Sequence, residues 1–394
     1  MPVSRTIQPV LLDLFGRYPV VTITGPRQAG KTTLCRETFP GLPYVNLEAP
    51  DIREAIASDP RAFLRRHPDG AILDEIQRVP ELLSYIQPLV DERGENGLFV
   101  ITGSQHFGIT QAVSQSLAGR TGVLRLLPFS IAEVRELRPD ASIRELMHTG
   151  FYPRIHDRGL DPTEALGSYL ETYVERDVRQ VTEIRNLPEF QRFIRLCAGR
   201  TGQLLNLQSL GSDAGVSHTT AKSWIGVLEA SFVVFRLAPY FANVSKRLIK
   251  SPKLYFYDVG LASYLLGIES SQQLETHPLR GSLFENLVVV EALKHRLNRG
   301  RQSNLHFFRE HRGHEVDLVY THADRLAAIE IKSGETLNRD FFAGFAHARR
   351  TLGNRIAAEI LVYGGGETGK RDGVLITDAA GLSPLLAELD SHQG

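Results

Sequence analysis

Short apolar runs rich in β-branched residues punctuate the first third of the chain at 18–24, 44–47, 70–74 and 98–102, separated by stretches long enough to hold helices. Runs of this kind predict a parallel sheet covered by helices. A shorter run at 122–126 predicts a last strand, after which Pro128 begins a turn. The first run ends in a Gly/Pro-rich turn and residues 31–39 then read as a helix, giving strand, loop, helix.

Beyond residue 140 the period changes. Leu166, Tyr169, Leu170, Tyr173 and Val174 recur at helical spacing, with Pro188 as the clearest breaker, so 141–200 reads as an all-helical lid. Two short helices at 207–214 and 219–230, joined by a Gly-Val-Ser-His turn and followed by a strand at 232–235, outline a winged helix-turn-helix. A helix at 283–297 then leads into strands around 306–308, 315–320 and 326–332. The expected fold class is α/β: a P-loop core at 1–140, the lid at 141–200, a winged-helix segment at 201–265 and a second α/β domain at 266–394.

Composition narrows the class. At 394 residues, 42% hydrophobic and 23% charged, the chain is ordinary globular protein of two or more domains. Lys plus Arg equals Asp plus Glu at 45 each, so any nucleic-acid contact is expected from a local patch. The two cysteines, Cys35 and Cys197, have no paired spacing, which excludes a disulfide framework and points to a reducing compartment. No apolar stretch reaches the roughly 20 residues of a membrane span and no signal-like start is present, so the expectation is a cytoplasmic protein without a membrane partner.

The chemistry is most legible at Gly25-Pro26-Arg27-Gln28-Ala29-Gly30-Lys31-Thr32. In a G-x-x-x-x-G-K-T loop the glycines let backbone N–H groups turn inward around phosphates, and the lysine supplies charge. Thr32 places a hydroxyl for a magnesium ion, the following helix offers its positive end, and Thr33 is counted with the loop. Downstream, Ile72-Leu73-Asp74-Glu75 ends another apolar run. Asp74 is expected to anchor Mg2+ and Glu75 to polarise the attacking water, which together imply ATP hydrolysis. Ser104, at the end of the next strand, is aimed at the same crevice.

The loop, Leu73-Asp74-Glu75-Ile76-Gln77 and Ser116-Leu117-Ala118-Gly119-Arg120, in that order, closely resemble the AAA+ family AAA_14. Leu254-Tyr255-Phe256-Tyr257-Asp258-Val259-Gly260-Leu261 and Gly281-Ser282-Leu283-Phe284-Glu285-Asn286 resemble its usual partner domain, DUF4143. The resemblance implies a prokaryotic two-part ATPase whose carboxy-terminal part is similar to the restriction-endonuclease fold. It makes Ser104 similar to a sensor-1 residue. It also makes Arg120 an arginine finger for a neighbouring subunit in a homo-oligomeric ring, against the alternative of a salt bridge within its own domain.

A second constellation is Glu285, Asp317, Glu330 and Lys332, which resembles the E…D…(E)xK core of PD-(D/E)xK nucleases. Residues 330 and 332 share one face of a strand. Glu285, Asp317 and Glu330 are the expected metal ligands and Lys332 the catalytic cation near the nucleophile. A strand with alternating charges gives the same letters, so cleavage and a non-catalytic fold both stand. Glu310, His311, His314 and Glu315 add further donors. Thr219 to Lys222 and Trp224, with Lys246, Arg247, Lys250 and Lys253, form a candidate DNA surface, while Ala221, Trp224, Val227 and Leu228 also read as a core stripe. The expected function is an ATPase coupled to DNA binding or processing. The alternative is a nucleotide-switched regulatory protein of defence or toxin–antitoxin type with a non-catalytic nuclease-like domain.

Overall fold

The computed structural model describes residues 3–104, 116–174, 186–240, 250–310 and 314–391. Cα packing divides the chain into two compact units: Met1–Phe129 with Glu229–Phe232 and Leu297–Arg301, and Ser130–Leu228 with Val233–Arg296 and Gln302–Gly394.

The first unit is built on five parallel strands, β1 (Val20–Thr24), β2 (Tyr44–Asn46), β3 (Ala71–Asp74), β4 (Phe99–Gly103) and β5 (Thr121–Arg125), in the order β2-β3-β4-β1-β5. β1, β3 and β4 are buried along their whole length, which explains their uninterrupted apolar reading. Side chains alternate between two cores. Val20, Leu73 and Ile101 pack on one side with Ile56, Phe63 and Ile86; Val21, Ile23, Ile72 and Val100 pack on the other with Leu11 and Leu34. Because all five strands run the same way, Thr24, Asp74 and Gly103 end at one edge, where crossovers leave a crevice.

The second unit opens with helices. Pro188 does not break one: it sits in the first turn of Leu187–Ala198, where its missing N–H costs nothing. The periodic run around Leu166 to Val174 forms Pro162–Tyr169 followed by a π-helical turn at Leu170–Val174. Leu207–Ala214 and His218–Ala230 follow, then an antiparallel hairpin of β6 (Val234–Leu237) and β7 (Lys253–Phe256). Trp224 is buried edge-on against Phe190 and Phe193, ring centroids 5.4 and 5.2 Å away. It belongs to the core stripe and is withdrawn from any duplex.

The last part is a mixed sheet of β8 (Leu305–Arg309), β9 (Glu315–His322), β10 (Arg325–Lys332), β11 (Ile356–Tyr363), β12 (Gly369–Arg371) and β13 (Val374–Thr377), in the order β12-β13-β11-β10-β9-β8. β10, β11 and β13 are mutually parallel. The helix Arg280–Leu297 is tied to β7 by buried Asn286, whose Oδ1 accepts from the Phe256 N–H (2.8 Å) and the Thr201 hydroxyl (2.7 Å) while its Nδ2 donates to the Phe256 carbonyl (2.9 Å). Asp258 likewise accepts from the N–H groups of Phe151 and Leu261 at 2.8 and 3.0 Å. A Cβ on Gly260 would lie 2.4 Å from the Gly150 nitrogen, so only glycine allows that approach. Among the described residues no helix is long and apolar enough to cross a membrane.

Asn286→Ala strands two buried backbone groups and a hydroxyl, and is expected to destabilise the second unit by about 3 kcal/mol or more, read as a lower denaturation midpoint in urea.

Candidate functional site

The loop between β1 and the helix Lys31–Thr38 is held in a conformation that costs backbone energy. Gln28 has φ 60° and Gly30 φ 89°, both left-handed. A Cβ on Gly25 would sit 2.0 Å from the Leu126 carbonyl oxygen, so glycine is required there by contact. Arg5, itself buried, donates to the carbonyls of Ala29 and Leu127, each at 2.7 Å, and clamps the loop to the segment after β5. Arg27 lies 3.8 Å from Glu48.

Lys31 is 5% exposed, and its ammonium donates to the Gly25 and Pro26 carbonyls at 3.0 and 2.8 Å. Burial pushes its pKa down against the opposing pull of Glu75 and Asp74. The helix that begins at Lys31 has Gly30 at its cap and no side chain capping it. A buried ammonium held by carbonyls, an uncapped helix start and a loop closed to side chains fit the phosphates of a nucleotide.

Asp74 organises the acidic side. Its Oδ2 accepts from Thr32 at 2.8 Å and from the Tyr44 hydroxyl at 2.7 Å, and its Oδ1 from Thr102. Burial and the bond to Asp74 push the Tyr44 phenol up, so it stays a donor. Thr32 and Asp74 are thereby paired at the loop's edge and fit as the residues that would hold Mg2+. Glu75 stands at φ 60°, ψ 50°, a left-handed position that turns the chain sharply after β3. Its Oε2 accepts from Ser104 at 3.1 Å and from Gln77, and Gln77 donates to Ser104 as well, at 3.1 Å. Lys31, Thr32, Asp74, Glu75 and Ser104 are therefore brought together. Sequence reasoning misses Arg5, Tyr44, Gln77 and Thr102, although Gln77 lies inside the Leu73–Gln77 motif.

Arg120 points elsewhere. It makes a two-pronged pair with Asp91, Nε to Oδ1 at 2.5 Å and Nη2 to Oδ2 at 2.8 Å, with Nη1 on the Ala118 carbonyl. The pair is solvent-facing and holds the Arg120 pKa up and the Asp91 pKa down.

Residues 17–135 match the sequence model of an AAA domain (AAA_14), 140–272 a domain of unknown function (DUF8612) and 280–380 another (DUF4143). Uncharacterized protein Rv2008c of Mycobacterium tuberculosis and uncharacterized protein Mb2031c of Mycobacterium bovis are each 33% identical over 322 residues, 81% of this chain and 71% of theirs. The chain belongs to the AAA_14–DUF4143 family. Solved structures with a similar trace include the Walker-type ATPase PABY2304 of Pyrococcus abyssi (15% identity, 66% of this chain and 94% of that one, TM-score 0.45). A point variant of RuvB from Thermotoga maritima is another (20% identity, 59% and 90%, TM-score 0.33). The family's AAA domain and the parallel sheet make the first unit an AAA-type P-loop ATPase fold.

In this family member the second constellation is organised by two lysines. Lys332 reaches Asp317 Oδ2 and Glu330 Oε2, both at 2.8 Å. Lys253, 3% exposed, reaches Glu285 Oε1 at 2.8 Å and also pairs with Glu315, while the Tyr255 hydroxyl donates to Glu285 at 2.6 Å. Burial would lower both lysine pKa values, but the carboxylates outweigh it and hold them up. Asp317 and Glu330 are thus joined through one ammonium and Glu285 is held by the other. Among the described residues no group of three or more His, Cys, Asp or Glu is arranged to hold a metal ion. Of the additional donors, Glu310 pairs with His347 at 3.2 Å, and His314 stacks on His347 at 3.8 Å; His311 lies outside the described residues. Thr219, Lys222 and Lys250 are exposed, whereas Lys246 and Arg247 lie outside the described residues.

Lys31→Met removes a desolvated charge and is expected to leave the nucleotide-free chain at least as stable. It should also abolish the stabilisation by ATP, which for the native chain is about 3 kcal/mol at one hundred times Kd; thermal melts with and without ATP check both. At the other cluster, the Glu330 carboxyl is pushed from 4.5 up to about 8 by burial and by Asp317. Between those values the folded chain keeps a proton that the unfolded chain has lost. Stability should therefore fall as pH rises from about 5 to 8, and Glu330→Gln should flatten that slope in urea titrations.

Proposed function

We propose that this chain is an ATPase that hydrolyses ATP with Mg2+, assembles as a homo-oligomer and couples turnover to DNA binding or processing. The observation that carries the reading is the Glu75–Ser104–Gln77 cluster beside the Thr32–Asp74 pair. Phosphoryl transfer to water needs positioned charge and an oriented nucleophile more than covalent chemistry. Gly25 to Thr33 bind the phosphates, with the Lys31 ammonium turning from its two carbonyls to the γ-phosphate. Thr32 and Asp74 would hold Mg2+, which would supply charge neutralisation to the phosphates. Glu75 accepts a hydrogen bond from the attacking water, and Ser104 and Gln77 keep its carboxylate aimed.

Oligomerisation is supported by Arg120, partly exposed and held by Asp91 at the surface, which would exchange Asp91 for a neighbour's phosphate. DNA binding is supported by the helix pair, the β6–β7 hairpin and the exposed Thr219, Lys222 and Lys250. For the carboxy-terminal domain, the two lysine-bridged carboxylate pairs favour a domain that binds a partner without cutting it, which is the regulatory alternative.

Glu75→Gln is expected to retain ATP and lower turnover by at least about a hundredfold, since it removes the water-orienting group. ATPase rates with single-stranded, duplex and branched DNA, run beside a cleavage assay, test the coupling. Turnover unchanged by every DNA form would overturn it, and cleavage lost in Lys332→Ala would overturn the non-cutting reading.

A further inference from the structure

The carboxyl ends of β10, β11 and β13 open onto a cavity of about 410 Å3 within the second unit, whose lining does not include Asp317, Glu330 or Lys332 although Ser333 directly follows Lys332. Ser333 and Glu335 follow β10, Gly364 to Gly366 follow β11 and Asp378 follows β13, and all of them line it. The ends of parallel strands are where open α/β sheets take ligands, because backbone groups and loops converge there with no strand to satisfy them.

Two guanidiniums and two carboxylates, those of Glu335 and Asp378, line it, so the arginines' charge is offered to a ligand only when Glu335 moves aside. Arg280 donates to Glu335 Oε1 at 2.8 Å and to the Ser333 carbonyl at 3.0 Å, and Arg144 reaches the same Glu335 Oε1 at 3.2 Å. The other terminal nitrogen of Arg144 is held by Glu275, so the side chain is fixed in its direction before anything binds. Glu335 is different: its side chain is 54% exposed, and its carboxylate hydrogen-bonds these two arginines. A phosphate or carboxylate oxygen can make the same contacts to two guanidiniums that this exposed carboxylate oxygen makes. Asp378 is turned back to the Gly381 N–H at 2.8 Å, onto its own chain segment.

The glycine run shapes the other wall. A Cβ on Gly364 would fall 2.5 Å from the Ser333 carbonyl and one on Gly365 2.4 Å from the Glu335 carbonyl, so the two loops touch backbone to backbone. At Gly366 nothing lies within 4 Å of a Cβ, and the wall is open there. Phe284 and Tyr363, both buried, give the cavity an apolar side. The volume falls in the range of small-ligand clefts, about 300–1,000 Å3, and is too large for a bare anion.

The geometry points to a second nucleotide site: the cavity takes a phosphate-bearing nucleotide unit, free or at the end of a nucleic-acid strand, with Arg144 and Arg280 on the phosphate and Glu335 as a displaceable plug. It is independent of the P-loop and of whether the carboxy-terminal domain cuts.

The test uses the full chain carrying Lys31→Met, so that the P-loop is silent, titrated with a fluorescent AMP analogue and with a short 5′-phosphorylated oligothymidylate. Arg280→Gln and Arg144→Gln should each weaken binding about tenfold or more, the scale of a lost charged hydrogen bond. Glu335→Gln should tighten it severalfold, an effect of opposite sign that damage to the fold would not produce; melting curves of all variants accompany the titrations. Preference for AMP assigns a free nucleotide, and preference for the oligonucleotide assigns a strand end. Absence of binding by both probes, or affinities that the arginine variants and Glu335→Gln leave equal, overturns the proposal.

Discussion

One carboxylate organises the first unit. Asp74 accepts hydrogen bonds from Thr32 on the loop helix, Tyr44 on β2 and Thr102 on β4, so one side chain ties a helix and two strands to the end of β3. A buried carboxylate with its lone pairs filled this way is stable where it is, and its partners cannot drift. The consequence reaches Glu75. The chain must leave β3 at once, through a left-handed residue, and that turn sets the Glu75 carboxylate against Ser104 and Gln77 instead of against Asp74. Two adjacent acids therefore have separate neighbourhoods, one beside the loop threonine and one beside the residues ending the next strand.

The second unit depends on a comparable lock between a strand and a helix. β7 and Arg280–Leu297 meet through Lys253 and Tyr255 on Glu285 and through both backbone groups of Phe256 on Asn286. The stretch 254–261, which falls in the DUF8612 match and not in the DUF4143 match expected for it, and the stretch 281–286, which falls in the DUF4143 match, are thus two halves of one contact. That gives the resemblance a physical content: a substitution on either half leaves the other with a buried polar group and no partner. It also explains why Glu285 reads as a candidate ligand. It is an acid set opposite Lys253, whose ammonium lies 2.8 Å from its carboxylate.

Much of the fold was legible because its signals are local. Parallel strands buried on both faces show as uninterrupted apolar runs, and glycine with lysine and threonine before a helix shows as a loop. The misread or missed features depend on partners distant in sequence. Arg5 clamps Ala29 and Leu127, and Tyr44 reaches Asp74; neither contact leaves a spacing to detect. Trp224 offered two faces, and the choice belonged to Phe190 and Phe193, which lie beyond any local window. Pro188 was local but ambiguous, since proline both stops helices and starts them, and position within the turn decides.

The two clusters of charge differ in a way that bears on what each can do. At the P-loop a buried ammonium is satisfied by carbonyl dipoles while the nearby carboxylates are held by hydroxyls and an amide, so an arriving polyphosphate meets a cation that is not already paired to an acid. In the carboxy-terminal domain Lys253 and Lys332 already neutralise Glu285, Glu315, Asp317 and Glu330 in part. A divalent ion entering there would meet carboxylates that already have an ammonium beside them, Lys253 almost fully buried and Lys332 30% exposed. The acidic cluster of the second unit ties β7, β9, β10 and the helix Arg280–Leu297 to one another through its two lysines.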